Sequence, residues 1–379
     1  MIAINKHIFT VIIFFFSLII HSQVNNSVLA NGNWFKFSVD TTGVFKIDKT
    51  LLQQIGISTN NLNPKKIHIY GNGGNLLPEF NEDVRYDDLQ ENAIYIEGED
   101  DNSFDANDFI LFYAKGPHSW KVDINTNNVS HKQNVYSDKA YYFITVNDNN
   151  GKRIQSAPSV TGSTVTQLTS FNDYIFYEKE TTNLFAAGRR WLGEEFSVEN
   201  QQTFQIPFPN AILNEPLEIK VRAVAVSGLT SSMQVNVNSQ ELFNLNFGAI
   251  SSGLTLASDR TNSKSITNSS TLINVSLNYN NGGNPSARAY LDFIEVSGKK
   301  QLIAGGFQFS FRSFEAANTS GIVEYQIQNS QNIFQIWEVS DPTNVSSIVN
   351  ESSATIFSFK ANGGDLKEYI VVHQNDFYL

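Results

Sequence analysis

Along residues 217–225 the side chains alternate, with Leu217, Ile219, Val221, Ala223 and Ala225 on one face and Glu218, Lys220 and Arg222 on the other. The same period of two returns in Met233, Val235 and Val237 against Gln234, Asn236 and Asn238. It returns again in Ile273, Val275, Leu277 and Tyr279 against Asn274, Ser276 and Asn278, while 290–296 reads as a strand apolar on both sides. A period of two is the signature of a half-buried strand. Strands with one wet face, separated by Gly, Ser and Asn turns, predict an antiparallel sandwich, specifically a jelly roll over 170–298.

The front of the chain carries the same signal less cleanly. Residues 34–39 and 44–47 flank Asp40, Thr41, Thr42 and Gly43, which predicts a hairpin with a short loop. One short helix follows: Asp48 caps it, Leu51, Leu52 and Ile55 give it an apolar side, and Gly56 ends it. Further strands are predicted at 67–70, 93–96, 109–114 and 141–146, with Gly71, Asn72, Gly73 and Gly74 as a tight turn and an acidic loop between them. These make a β-rich domain over 29–155. Residues 156–169, rich in Ser, Thr, Val and Gly, read as a linker or an edge strand. Strands predicted at 307–311, 322–327, 333–339, 354–359 and 368–372 fill a last segment, 299–379. The predicted fold class is all-β.

The N-terminus changes the picture of where the protein works. Lys6 followed by an apolar run over 8–20 and then His21, Ser22 and Gln23 reads as a secretory signal peptide over 1–22, cut between Ser22 and Gln23. The run falls short of the roughly 20 apolar residues that a membrane-spanning helix requires. Export is therefore expected, to the cell surface, the outer membrane or the medium. With 41% hydrophobic and 17% charged residues the chain can bury real cores, and with no cysteine it must do so without disulfides. A net charge of −11 and the lack of a Lys/Arg stripe argue against a nucleic-acid partner.

Catalytic motifs are scarce. Without cysteine there is no thiol nucleophile, and no G-x-S-x-G elbow, H-E-x-x-H pair or P-loop spacing occurs. From 79 to 108 the chain is acidic, with Arg85 the sole base. Within it Asp101, Ser103 and Asp105 have alternate spacing, with Asp108 beyond, which could supply oxygens to Ca²⁺. The glycine and distal glutamate of an EF-hand are missing, so Asp101, Asp105 and Asp108 are weak metal candidates set against a solvated acidic loop. No cofactor and no catalytic residue is assigned. With 29 Phe, 14 Tyr and 4 Trp, stacking on sugars is a use that competes with core packing, and Trp120 and Trp191 lie near polar or glycine-rich loops.

Five stretches in order, IYGNGGNLLPE at 69–79, FYAKGPHSW at 112–120, GRRWLGEEF at 188–196, AYLDFIEV at 289–296 and WEVSDP at 337–342, are similar to the front part of the PorU-type, gingipain-like cysteine peptidases of the type IX secretion system. The resemblance implies a flavobacterial-type surface protein. Members of that family are sortases that remove C-terminal signal domains from secreted cargo and help attach the cargo to anionic lipopolysaccharide, using a Cys/His pair on an α/β domain. That domain lies downstream of β-rich domains like these, and no βαβ alternation or cysteine occurs in this sequence. The expectation is thus a non-catalytic front portion of an incomplete or split polypeptide, its partners being other surface-complex proteins and cargo. A stand-alone sandwich that binds glycans or acts as an adhesin is the alternative from a different functional class, and glycoside hydrolysis by the acidic residues is a distant third.

Overall fold

The computed structural model describes residues 27–379 except 79, 185, 187, 252 and 254. The expected leader, 1–22, lies outside the described residues. The front of the chain forms β1 (Trp34–Val39), β2 (Gly43–Asp48), β3 (Ile67–Tyr70), β4 (Glu91–Asn92), β5 (Ile94–Glu97), β6 (Phe109–Ala114), β7 (Ser119–Asp123), β8 (Asn128–Lys132) and β9 (Ala140–Val146). Two sheets, ordered β1-β9-β3-β4 and β2-β6-β5, enclose a core that includes Ile47, Leu52, Ile69, Ile110, Phe112, Tyr142 and Ile144.

The helix α1 (Lys49–Gln54) forms as its sequence requires. The Leu51 N–H donates to the Asp48 carboxylate at 2.9 Å, Leu52 is buried, and Gly56 leaves the helix at φ +99. The expected hairpin does not form. β1 pairs with β9 and β2 with β6, so residues 40–42 carry the chain from one sheet to the other. The physical reason is burial: Val39 of β1 and Phe45 and Ile47 of β2 face the same core, which they do from opposite walls. Gly71 to Gly74 is no tight turn either. It runs without regular structure to a bend at Gly74, and a Cβ on Gly71 would lie 2.4 Å from the Tyr142 ring. Glycine is used here for close approach.

The middle of the chain supplies β10 (Gln155–Ser156), β11 (Thr164–Leu168), β12 (Ser170–Glu178), β13 (Glu195–Phe196), β14 (Gln201–Pro207), β15 (Pro216–Val226), β16 (Ser231–Val237), β17 (Gln240–Phe247), β18 (Ser258–Thr267), β19 (Leu272–Asn280) and β20 (Arg288–Gln301). Strands β12, β20, β15 and β18 line up in that order in one wall, and β14, β19, β16 and β17 in the other. Counted along these eight strands the orders are first-eighth-third-sixth and second-seventh-fourth-fifth, the wiring of a jelly roll. The alternating residues named above point into its core, with Met233, Val235, Ile273, Val275, Ile219 and Val221 all buried.

The last elements are β21 (Phe309–Arg312), a short helix α2 (Phe314–Ala317), β22 (Ile322–Gln328), β23 (Ile333–Glu338), β24 (Ser346–Val349), β25 (Ile356–Asn362) and β26 (Glu368–His373). Here β11, the segment read as linker or edge strand, is an edge strand parallel to β22 in the sheet β11-β22-β25. That sheet packs over β24-β23-β26-β21, and β21 touches β12, so one sheet runs from the jelly roll into the last block.

A separate apolar joint closes the assembly. Val44, Leu111 and Tyr113 on the outer face of β2-β6-β5 meet Trp337, Val339, Ile370 and Val372. This explains why β6 reads Phe-Ile-Leu-Phe-Tyr-Ala without alternation, since both of its faces are covered. Trp337 is fully buried and its indole N–H donates to Gln335 at 2.6 Å. Beside the joint, Phe45 and Tyr378 form a parallel bridge, with Lys46 N–H to the Tyr378 carbonyl at 2.8 Å and Tyr378 N–H to the Val44 carbonyl at 3.0 Å. Trp337→Ala should cost about 3–5 kcal/mol. Urea unfolding should show the loss, and a change below ~1 kcal/mol would mean that the joint does not hold the blocks together.

Candidate functional site

The site is built by the pleat of three adjacent jelly-roll strands. On β12, Ile175 and Tyr177 face the core, so Phe176 and Glu178 face outwards. The register sets Phe176 opposite Glu295 and Glu178 opposite Phe293. Across the next ladder Lys220 lies opposite Glu295 and Arg222 opposite Phe293. Two rows of charged and aromatic side chains therefore stand on the outer face of the sheet. The hairpin β7–β8, projecting from the first sandwich, lies on them.

His131 of β8 is the centre of the contact. Its Nδ1 is 2.6 Å from Glu295 and its Nε2 is 2.5 Å from Glu178. Its ring stacks on Phe176 at 4.2 Å and meets Phe293 edge-on at 4.8 Å. The His131 backbone N–H also donates to Glu295 at 2.8 Å. Lys220 Nζ reaches the second Glu295 oxygen at 2.8 Å and donates to the Val129 carbonyl at 2.7 Å. With a carboxylate on each ring nitrogen, both nitrogens donate and the ring is an imidazolium. Burial pulls its pKa down, but the hydrogen bonds and charges of Glu178 and Glu295 outweigh burial and hold it at about 9. Burial likewise raises the Glu295 carboxyl, and His131 and Lys220 more than offset it, so its pKa is lowered.

A second group of charges adjoins the first. Arg190 lies 2.9 Å from Asp259 and 3.2 Å from Asp292, and Arg222 lies 2.8 Å and 3.2 Å from the same two acids. Burial raises the Asp292 carboxyl, whereas at Asp259 burial is overcome by the two guanidinium groups and the pKa falls. A cleft of about 510 Å³ opens between the two groups, with Leu76, Glu180 and Trp191 on its walls. Arg190, Arg222, Asp292, His131 and Glu178 in it are already paired, and among the described lining residues there is no hydroxyl or thiol. What the arrangement does is fasten the hairpin to the jelly roll by buried, hydrogen-bonded charge.

The residues singled out from sequence lie elsewhere. Asp101 accepts from the Ser103 N–H at 2.9 Å, Asp105 from the Ser103 hydroxyl at 3.2 Å, and Asp108 from the Asp105 N–H at 2.6 Å. These carboxylates brace their own loop, and among the described residues no group of three or more His, Asp or Glu is gathered to hold a metal ion. Trp120 rests on the Tyr174 ring at 4.1 Å, inside the hairpin contact, while Trp191 is 38% exposed. The sequence pattern does not single out His131. Its only signal was its place beside Val129 on one face of a short alternating strand, and nothing local ties it to residues 178 and 295.

The fold has a strong likeness among known structures. Over 94% of this chain and 33% of the other, the fold is similar to that of dimeric latent PorU from Porphyromonas gingivalis, with 21% identity and a TM-score of 0.79. The chain spans about a third of that protein's chain, and it is PorU-like in fold over nearly its whole length, as the resemblance implied. A carbohydrate-binding module, the CBM36-1 domain of a multidomain xylanase from the hindgut metagenome of Trinervitermes trinervoides, aligns with 33% of this chain and 95% of its own at 10% identity, but its TM-score of 0.24 carries no argument. No family model and no curated protein matches the chain. Among the described residues no helix is long and apolar enough to cross a membrane.

The His131 contact makes a signed prediction. A histidine whose pKa rises from 6.5 to about 9 on folding adds stability that is complete below pH 6.5 and is lost as pH climbs through about 9. The full span is worth up to about 3 kcal/mol. Thermal melts from pH 6 to 10 should show this fall, and His131→Ala should flatten it while leaving Glu178 without its cation and Glu295 with Lys220 alone, at a cost of about 3–5 kcal/mol. A variant as stable as the parent, or an unchanged pH profile, would refute the clasp.

Proposed function

We propose that this chain is the non-catalytic, β-rich front portion of a surface sortase of the type IX secretion system. The observation that carries this reading is the PorU-like fold over 94% of the chain. The chain's composition supports it: with no cysteine, it cannot itself furnish the thiol on which such peptidases depend. Its role is then support. Two sandwiches and a third sheeted block, fixed to one another by the Trp337 joint and the His131 clasp, form a rigid platform for a peptidase domain and for the other members of a surface complex. Removal of C-terminal sorting domains from cargo, and attachment of that cargo to anionic lipopolysaccharide at the cell surface, belong to the assembled enzyme in this proposal.

Two measurements test it. Purified chain incubated with a sorting-signal substrate should leave it intact with or without added thiol, and cleavage by the chain alone would overturn the reading. DNA sequence beyond the Leu379 codon, or a neighbouring gene, should encode an α/β domain bearing a His and a Cys. A genome with neither would favour a stand-alone adhesive or glycan-binding protein instead.

A further inference from the structure

The long sheet that joins the jelly roll to the last block is not zipped throughout. On one side β12 pairs with β20 at nine successive positions, but on the other it meets β21 through a single pair, Asn172 with Arg312. Beyond that pair the strands part, and a cleft of about 690 Å³ occupies the fork, with Asp173 and Tyr174 on one wall and Phe309 and Ser310 on the other. The third wall is β7, which among the described residues pairs only with β8 and leaves its second edge without a strand partner. Open strand edges facing one cavity are what an added strand requires.

The charge of the cleft is opposite to that of the molecule. The chain carries −11 overall. Yet Lys115, Lys121 and Lys132 all line this cleft, and among the described residues none of the three side chains has an ion-pair or hydrogen-bond partner. The two acids on its walls are already committed: Asp173 to Lys300 at 2.7 Å and Arg312 at 3.4 Å, and Glu368 to Arg312 at 2.9 Å. Two further nitrogens that line the cleft, His118 Nδ1 and Arg312 Nε, are buried without a hydrogen-bond partner. A cavity with free cations, spare nitrogens and open backbone edges is suited to a main chain that bears carboxylates.

We propose that the fork between β12 and β21 is a binding site for an extended acidic peptide segment, added as a strand to an open edge with its carboxylates on Lys115, Lys121 and Lys132. Main-chain pairing supplies the fit and the lysines supply the sign. The open edges favour a peptide over an anionic saccharide, which has no ladder of N–H and C=O groups to offer. This site does not depend on the sortase reading and stands or falls separately from it.

The test uses the whole chain and a synthetic peptide of alternating Val and Glu, titrated by calorimetry and followed by amide hydrogen exchange. Saturable binding is expected, with new protection at 173–176 or 309–311. The double variant Lys121→Glu, Lys132→Glu, whose parent side chains are exposed, should fold with an unchanged circular dichroism spectrum and bind about tenfold more weakly or worse. The same peptide with proline at alternate positions should lose its binding, since it cannot donate to a ladder. Failure of the acidic peptide to bind, equal binding of the proline version, protection confined to other strands, or binding of an oligoglucuronate in place of the peptide would each overturn the proposal. Peptidase assays do not enter these outcomes, so the sortase reading can fail while this one survives.

Discussion

Everything in the middle of this molecule depends on the pleat of β12, β20 and β15. A strand sends successive side chains to opposite faces, so the residues that build the jelly-roll core decide what stands on its back. Ile175, Tyr177, Ile294, Val296, Ile219 and Val221 face inwards, which leaves Phe176, Glu178, Glu295 and Lys220 facing out. A slip of one residue would put glutamates in the core and isoleucines under the hairpin. The register is thus held from both sides, by apolar burial on one face and by His131 on the other.

The two kinds of contact between blocks divide the work. The Trp337 joint is apolar, and its formation follows from burying Val44, Leu111 and Ile370 against an indole. The His131 clasp is ionic, and the desolvation of its buried charges offsets much of the attraction between them. A chain without cysteine has no covalent alternative. Packing fastens the front sandwich to the last block, and charge orients its hairpin on the jelly roll.

Much of the fold was legible because its strands obey a simple period. The alternation over 217–225, 233–238 and 273–279 located three jelly-roll strands and their buried faces, and Asp48 announced the helix that it caps. What misled was connection. Residues 34–47 look like a hairpin because both strands and a short polar loop are there, but pairing is settled by which core the inward residues share. The strand β18, exposed along nearly its whole length, has no apolar face to betray it and went unseen. The site was less legible still. Two strands and a hairpin, far apart in sequence, bring His131, Glu178 and Glu295 together, and each taken alone is an ordinary surface residue type.

The pairing of β12 also fixes an order in time. Every residue that this strand pairs with in the sheet, from Phe293 to Gln301 on one side and Arg312 on the other, lies far downstream. Until those residues have emerged, β12 is a bare strand with Ile175 and Tyr177 exposed, and the jelly roll cannot close. Topologies with such distant pairings fold slowly and leave sticky edges open meanwhile. The middle of this protein therefore remains unfinished until the residues of β20 have been made.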